Sequence, residues 1–171
     1  MPIGLRRYQQ TGHFHFITFS CYQRLPFLAN PIAKQTFVEI LETLRKRHSF
    51  YISGYVLMPE HVHLLLSEPP NITLASLLRI LKGETSRRLK GNRVQFWQRR
   101  YYDFNVFTEV KRIEKLKYIH RNPVSRGLAE KPEDYPWSSF RHWATGEPCQ
   151  IEIESEWTAR RRELGQAHSS P

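Results

Sequence analysis

The chain has 171 residues, 40% of them hydrophobic and 13% aromatic, enough for one folded unit with a true core and too apolar for a disordered chain. Its 26 Lys and Arg outnumber 16 Asp and Glu, for a formal charge of +10, which favours a polyanionic partner: nucleic acid or an anionic membrane surface. Two cysteines, Cys21 and Cys149, exclude a disulfide framework and a Cys-rich zinc site.

The opening MPIGLRRYQQ lacks the apolar stretch of a secretory signal, and no run approaches the roughly 20 apolar residues of a membrane helix. A soluble cytoplasmic protein, with no membrane partner, is expected. HFHFITFSCY (13–22) alternates as a strand. Asn30-Pro31 then supplies an N-cap and a first-turn proline to a helix with Phe37, Ile40, Leu41, Leu44 and His48 at helical spacing. FYISGYVLMPEHVHLLLSE (50–68) predicts two strands, 50–57 and 61–67, joined tightly at Met58-Pro59-Glu60 because proline interrupts a ladder. A second helix is expected over 73–89, with Leu74, Leu77, Leu78 and Leu81 on one face. QFWQRRYYDFNVF (95–107) reads as a further strand with an irregular start. Thr108 then caps a third helix, EVKRIEKLKYIHRN, that Pro123 is expected to stop.

Residues 1–150 are expected to form one catalytic domain and 151–171 a polar, flexible tail. The order β-α-β-β-α-β-α fits an α+β, ferredoxin-like (RRM- or palm-like) antiparallel sheet. That fold places helices on one face and leaves the other free to bind, with a C-terminal catalytic helix and an irregular extension.

Within VLMPEHVHLLLSEP, His61 and His63 stand two apart in a strand and so share a face, opposite Val62, Leu64 and Leu66. Such a pair can chelate one metal ion; it can also simply lie on a half-exposed sheet. On the third helix Tyr118 and Asn122 stack four apart, with Lys111, Glu114 and Lys115 on the same side and Ile113 and Leu116 opposite. A surface tyrosine and an Asn-Pro helix end are the plain alternatives. Between 79 and 100, Arg79, Lys82, Arg87, Arg88, Lys90, Arg93, Arg99 and Arg100 face a single acid, Glu84, and run into Phe96, Trp97, Tyr101 and Tyr102. A solvated helix face would explain the charges. Cations that neutralise phosphates beside rings that stack on unpaired bases would explain both, and mark Trp97 and Tyr101 as stacking candidates. His13 and His15 share a strand face and read as sheet surface, possible contacts for DNA. The WSSFRHW stretch and Arg160-Arg161-Arg162 are weaker candidates, and Glu152, Glu154 and Glu156 are expected to be solvated.

HVH at 61–63 followed by YIHRNPV at 118–124, with MPEHVHLLL, FWQRRYYD (96–103) and YPWSSF (135–140), resembles the single-tyrosine HUH transposases. The finer match is to their REP-associated branch, over roughly residues 10–145. The resemblance implies His61 and His63 as metal ligands and Asn122 as a third, oxygen ligand. It also implies Tyr118 as the nucleophile that forms a 5′-phosphotyrosine on single-stranded, hairpin-forming DNA, in a bacterial, nucleoid-associated setting. Two imidazoles suit Zn²⁺, whereas the resemblance favours Mg²⁺ or Mn²⁺. It allows a monomer or a homodimer. Glu60 departs from the Asn or small polar residue expected there and adds a carboxylate beside the histidines. Two other readings compete. One is a non-catalytic nucleic-acid-binding module, for which the RNP signature is absent and the paired histidines are unexplained. The other is a hydrolytic metal-dependent phosphodiesterase that leaves no protein–DNA adduct.

Overall fold

Four antiparallel strands form one sheet: β1 (Phe14–Ser20), β2 (Ile52–Leu57), β3 (His61–Ser67) and β4 (Tyr102–Val106), in the order β2-β3-β1-β4. Helix α1 (Pro31–His48) joins β1 to β2, and α2 (Leu74–Leu89) joins β3 to β4. This is the expected ferredoxin-like α+β sheet; α1 starts where its predicted cap places it, and α2 lies within the range expected for it. The Asn30 side chain accepts from the Ile32 amide, and Thr73 accepts from that of Ser76. Caps of this kind contribute about 1 kcal/mol each. The computed structural model describes residues 13–167. The MPIGLRRYQQ stretch, expected to carry no targeting signal, and the last four residues of the expected tail lie outside the described residues. No helix among the described residues is long and apolar enough to cross a membrane.

Alternation along the strands divides the interior into two layers. Ile17, Phe19, Val62, Leu64 and Leu66 meet Phe37, Leu41, Leu44, Leu77, Leu78 and Leu81 of α1 and α2. On the opposite face Phe16, Leu65 and Val56 meet Leu116 and Ile119 of α3 (Glu109–Ser125). The second face is therefore not left free, as expected from the fold class, but roofed over β2 and β3 by α3. Gly54 makes the roof possible. A Cβ there would stand 2.5 Å from Leu116 Cδ2, 3.3 Å from Ser139 Oγ and 3.7 Å from Ile119 Cδ1. Thr108 caps α3 as predicted, its side chain accepting from the Lys111 amide. Pro123 does not stop the helix but sits inside its last turn. A proline forfeits only its own bond back along the helix, so the residues after it can stay helical for a turn. Of the two residues expected on the apolar side, Leu116 is buried but Ile113 remains 42% exposed.

The described residues past 150 do not form a polar, flexible tail. Ile151 and Ile153 are fully buried, Ile153 bridges Ile52 in parallel, and the Glu154 amide donates to the Ile52 carbonyl. A helix, α5 (Glu156–Ala167), follows. Counting charges hid two isoleucines whose burial outweighs their polar neighbours. Glu152 and Glu154 are likewise not simply solvated, since both pair with Arg162. The YPWSSF segment lies along β2 as well. The Leu57 amide donates to the Trp137 carbonyl, Ser138 bridges Val56, and the Tyr135 hydroxyl donates to the Leu57 carbonyl. Between them, these segments and the short helix α4 (Phe140–Thr145), whose Trp143 indole donates to the Ser53 carbonyl, cover the β2 edge.

His15 is not sheet surface. It is fully buried on the α1/α2 side, Nδ1 lying 2.6 Å from Asp103 and Nε2 2.7 Å from Glu68. Its strand parity matches that of Ile17 and Phe19, and two carboxylates make the burial tolerable. His13 is exposed, its ring 6.0 Å from that of Phe107. Burial alone would push the His15 pKa down, but Asp103 and then Glu68 more than reverse this and hold it above 6.5. A group whose folded pKa is raised contributes stability below its unfolded pKa and loses that contribution as pH rises through the folded value. The stability difference between wild type and H15Q in urea melts should therefore narrow as pH rises from about 6 towards 9. A difference that widens over that range would refute the assignment. Overpacking at Gly54 offers a second check: G54V should lose about 1–3 kcal/mol, seen as a fall of several degrees in Tm. An unchanged Tm would show that α3 does not need this close approach.

Candidate active site

The site forms where the β2–β3 turn meets α3. The turn is pinned from outside, the Cys21 amide donating to the Glu60 carbonyl and Leu28 to that of Pro59. His61 and His63 then leave β3 on the α3 face and are almost completely buried. Their Nε2 atoms lie 3.0 Å apart, and Asn122 of α3 places its amide 3.3 Å from His63 Nε2. The outer ring nitrogens are both occupied, His61 Nδ1 by Glu60 at 2.8 Å and His63 Nδ1 by the Thr18 hydroxyl at 2.6 Å. A carboxylate only accepts, so the His61 proton sits on Nδ1 and its Nε2 lone pair faces inward.

Burial lowers the pKa of both rings. His61 is depressed despite Glu60, and His63 falls to about 3 through burial, His61 and the cations Arg126, Arg24 and Lys115. Both imidazoles are thus neutral at physiological pH, the form that binds a metal. Asn122 Oδ1 is buried without a hydrogen-bond partner, and a half-turn of the amide brings it to the nitrogens. Two imidazole Nε2 atoms and, after that turn, an unsatisfied amide oxygen meet at one point, a donor set that fits a divalent cation. Among the described residues no group of three or more His, Cys, Asp and Glu is placed to hold a metal ion, so at this point the amide would have to be the third donor.

Outside this point lies a cleft of about 350 Å³ lined by Phe16, Thr18, Arg24, His61, His63, Tyr102, Lys115, Tyr118 and Arg126. Tyr118 is half exposed, its ring edge-on to His63 at 5.3 Å and to Phe16 at 5.9 Å. The Lys115 ammonium, one turn earlier, rests over Phe16 at 4.9 Å and Phe104 at 4.6 Å. Such contacts hold a cation in place for about 0.5–2 kcal/mol each. Arg126 reaches the cleft from the C-cap of α3, and Arg24 comes from the loop after β1. Gln23 and Arg24 adopt φ of 52° and 54° without being glycine, a cost of about 1–3 kcal/mol each that the surrounding bonds sustain. One of those bonds runs from Arg24 to the Ser20 hydroxyl at 3.3 Å.

The four residues expected at the centre, His61, His63, Tyr118 and Asn122, therefore come together within one chain. The ten expected DNA contacts do not form one surface. Trp97 is core, edge-on to Phe19 at 4.9 Å with its indole donating to Thr85, because three aromatic neighbours outcompete solvent for the ring. Lys82 ties α2 to the following loop through the Gln98 and Arg99 carbonyls. Arg93 closes the end of α2 on the Leu89 and Lys90 carbonyls and covers Phe27. Arg87 pairs with Glu84, and Tyr101 packs against the core. Arg79 and Arg88 are exposed and Lys90 half-buried on a helix across the sheet from the histidines. Arg99 and Arg100 are exposed and lie nearer, in the strap that pairs with the end of β1 through Gln98 and Ser20. Thr18, Arg24 and Arg126 were not picked out from the sequence. Lys115 was placed on the correct helix side without a role. The one readable hint for Thr18 is its strand parity with Phe14 and Phe16.

Because Asn122 Oδ1 bonds to nothing in the protein, N122L should leave unfolding stability within about 1 kcal/mol of wild type or raise it. A loss above about 2 kcal/mol in denaturant melts would make Asn122 a structural residue.

A family profile, "Transposase IS200 like", matches residues 8–122. A Haemophilus influenzae protein provisionally assigned as a REP-associated tyrosine transposase is 30% identical over 108 residues, 56% of this chain and 61% of that protein. The chain thus spans less than two thirds of that relative. The REP-associated tyrosine transposase of Escherichia coli K12 is 26% identical over 136 residues, 79% of this chain and 81% of the relative. A solved structure of a REP-associated tyrosine transposase bound to a REP hairpin shares the fold, with a TM-score of 0.73 at 23% identity over 88% of this chain and 91% of the other. With the profile spanning both the histidine pair and the helix that carries Tyr118 and Asn122, the chain belongs to the IS200-like transposase family.

Proposed function

We propose that this protein is a metal-dependent DNA endonuclease and strand transferase that cleaves single-stranded, hairpin-forming DNA through a 5′-phosphotyrosine intermediate. One observation carries the reading: Tyr118 stands edge-on to His63 in the same chain, at the mouth of a cationic cleft. A hairpin substrate is supported by the shared fold with a protein solved on a REP hairpin. The meeting of the histidines and the tyrosine of one chain at one cleft supports a centre that acts in cis.

His61, His63 and Asn122 would hold a divalent cation, Mg²⁺ or Mn²⁺, which when bound would supply positive charge at the scissile phosphate. Arg24, Lys115 and Arg126 draw the phosphodiester into the cleft and offset charge on its free oxygens. Phe16 and Tyr102 give one side of that cleft an aromatic wall. The Tyr118 hydroxyl attacks phosphorus; the new O–P bond forms as the P–O3′ bond breaks, the phenol gives up its proton and the 3′ oxygen gains one. The phosphate stays on Tyr118 with the 5′ end of the downstream strand, and reversal rejoins strands without ATP. Arg99 and Arg100 extend the positive track from the cleft, with Arg79, Arg88 and Lys90 offering a more distant contact to duplex phosphates.

On denaturing gels, wild-type protein with Mg²⁺ or Mn²⁺ and end-labelled single-stranded hairpins from the flanks of its own gene should give a slow-migrating adduct that survives SDS. Y118F and H61A should both lose it. Cleavage without an adduct, undiminished in Y118F, would place the protein among hydrolytic phosphodiesterases, and binding without cleavage among DNA-binding modules.

A further inference from the structure

We infer that Glu60 is a positioning residue, which sets the tautomer and orientation of His61 and so the lone pair that His61 turns inward. The inference deepens the cation site proposed above and rests on it. Glu60 is where the chain departs from its resemblance, and the structure gives the carboxylate a specific job. Its Oε1 lies 2.8 Å from His61 Nδ1, and the Arg24 guanidinium stands 3.6 Å from the same oxygen on the outer side. The side chain is only 19% exposed, and its backbone carbonyl is held by the Cys21 amide, so it has little freedom to turn away.

The two histidines are supported unequally. His63 Nδ1 meets the Thr18 hydroxyl, which can donate or accept and therefore dictates no tautomer. His61 Nδ1 meets a group that only accepts, so of the pair His61 alone has its proton placed from outside. Without Glu60, His61 is free to carry its proton on Nε2. There it would donate to His63 Nε2, 3.0 Å away, and block the point where the three donor atoms converge. Arg24 supports the arrangement from behind: the left-handed turn at Gln23 and Arg24 is what returns its guanidinium to Glu60.

The test compares wild type, E60A and E60Q, each first checked for an unchanged far-UV spectrum and cooperative melt. Long-range ¹H–¹⁵N correlation spectra of the metal-free, histidine-labelled protein near neutral pH read the tautomer directly. Wild type and E60Q, whose amide oxygen still accepts, should show His61 protonated at Nδ1; E60A should shift it towards Nε2. Mn²⁺ alone, followed by the electron paramagnetic resonance of the free ion, should bind about 10–100-fold more weakly to E60A and within a few-fold of wild type to E60Q. An unchanged His61 tautomer in E60A overturns the inference, as does an unchanged Mn²⁺ affinity in E60A when wild type binds the ion. If wild type itself binds no Mn²⁺, the cation reading of the site fails, while the spectra still decide what Glu60 does to His61.

Discussion

Everything at this site depends on how closely one helix can approach one sheet. Helix α3 carries Tyr118 and Asn122, while the histidines belong to β3, so the chemistry exists only if the two elements meet at van der Waals distance. Leu116 settles over Gly54, on the strand next to β3, and Ile119 packs beside it. That contact brings Asn122, one turn beyond Tyr118, down to His63. A side chain at position 54 would lift the helix, and displacements of about 1 Å are ones to which catalytic geometry is highly sensitive. The lower face of the sheet, packed on α1 and α2, holds β3 and β1 in register, so that Thr18 falls opposite His63 and Ser20 opposite His61.

Around this contact the protein separates charge from neutrality. The inner point holds two uncharged rings and an amide, the rings kept so by burial; the rim holds three cations, Lys115 and Arg126 from α3 and its C-cap and Arg24 from the segment after β1. The rim cations in turn discourage protonation of the rings, since a positive neighbour disfavours a second positive charge. This order suits the proposed reading, with an anion at the rim and a cation at the inner point. The cost appears locally, as an amide oxygen with no partner and two residues in left-handed backbone. Such departures from local rules concentrate where function, rather than folding, sets the requirement.

Much of this was legible beforehand. Strand alternation put His61 and His63 on one face, helical spacing stacked Tyr118 on Asn122, and the caps Asn30 and Thr108 marked where α1 and α3 begin. What failed to show follows a pattern. Trp97 and Lys82 read as DNA contacts because ring and charge are visible in a sequence, whereas their partners, Thr85 and the Gln98 carbonyl, are fixed only by tertiary packing. Arg24 and Arg126 were invisible for the converse reason: each sits at the end of an element, aimed by backbone geometry that no spacing rule encodes. His15 resembled His61 in pattern, yet its strand parity and two distant carboxylates made it a buried ion-paired residue instead. The isoleucines at 151 and 153 were outvoted by their charged neighbours.

The covering of β2 has a consequence for the order in which the molecule can be completed. The sheet, both its lower helices and α3 are all encoded before residue 126, but the strap that closes β2 lies between Tyr135 and Glu154. It also latches α3, through the His120 ring and the Ser139 hydroxyl at 2.8 Å. During synthesis the helix that carries Tyr118 and Asn122 therefore leaves the ribosome before the segment that fastens it over the histidines. A chain interrupted within that interval would carry every residue of the site and lack the latch.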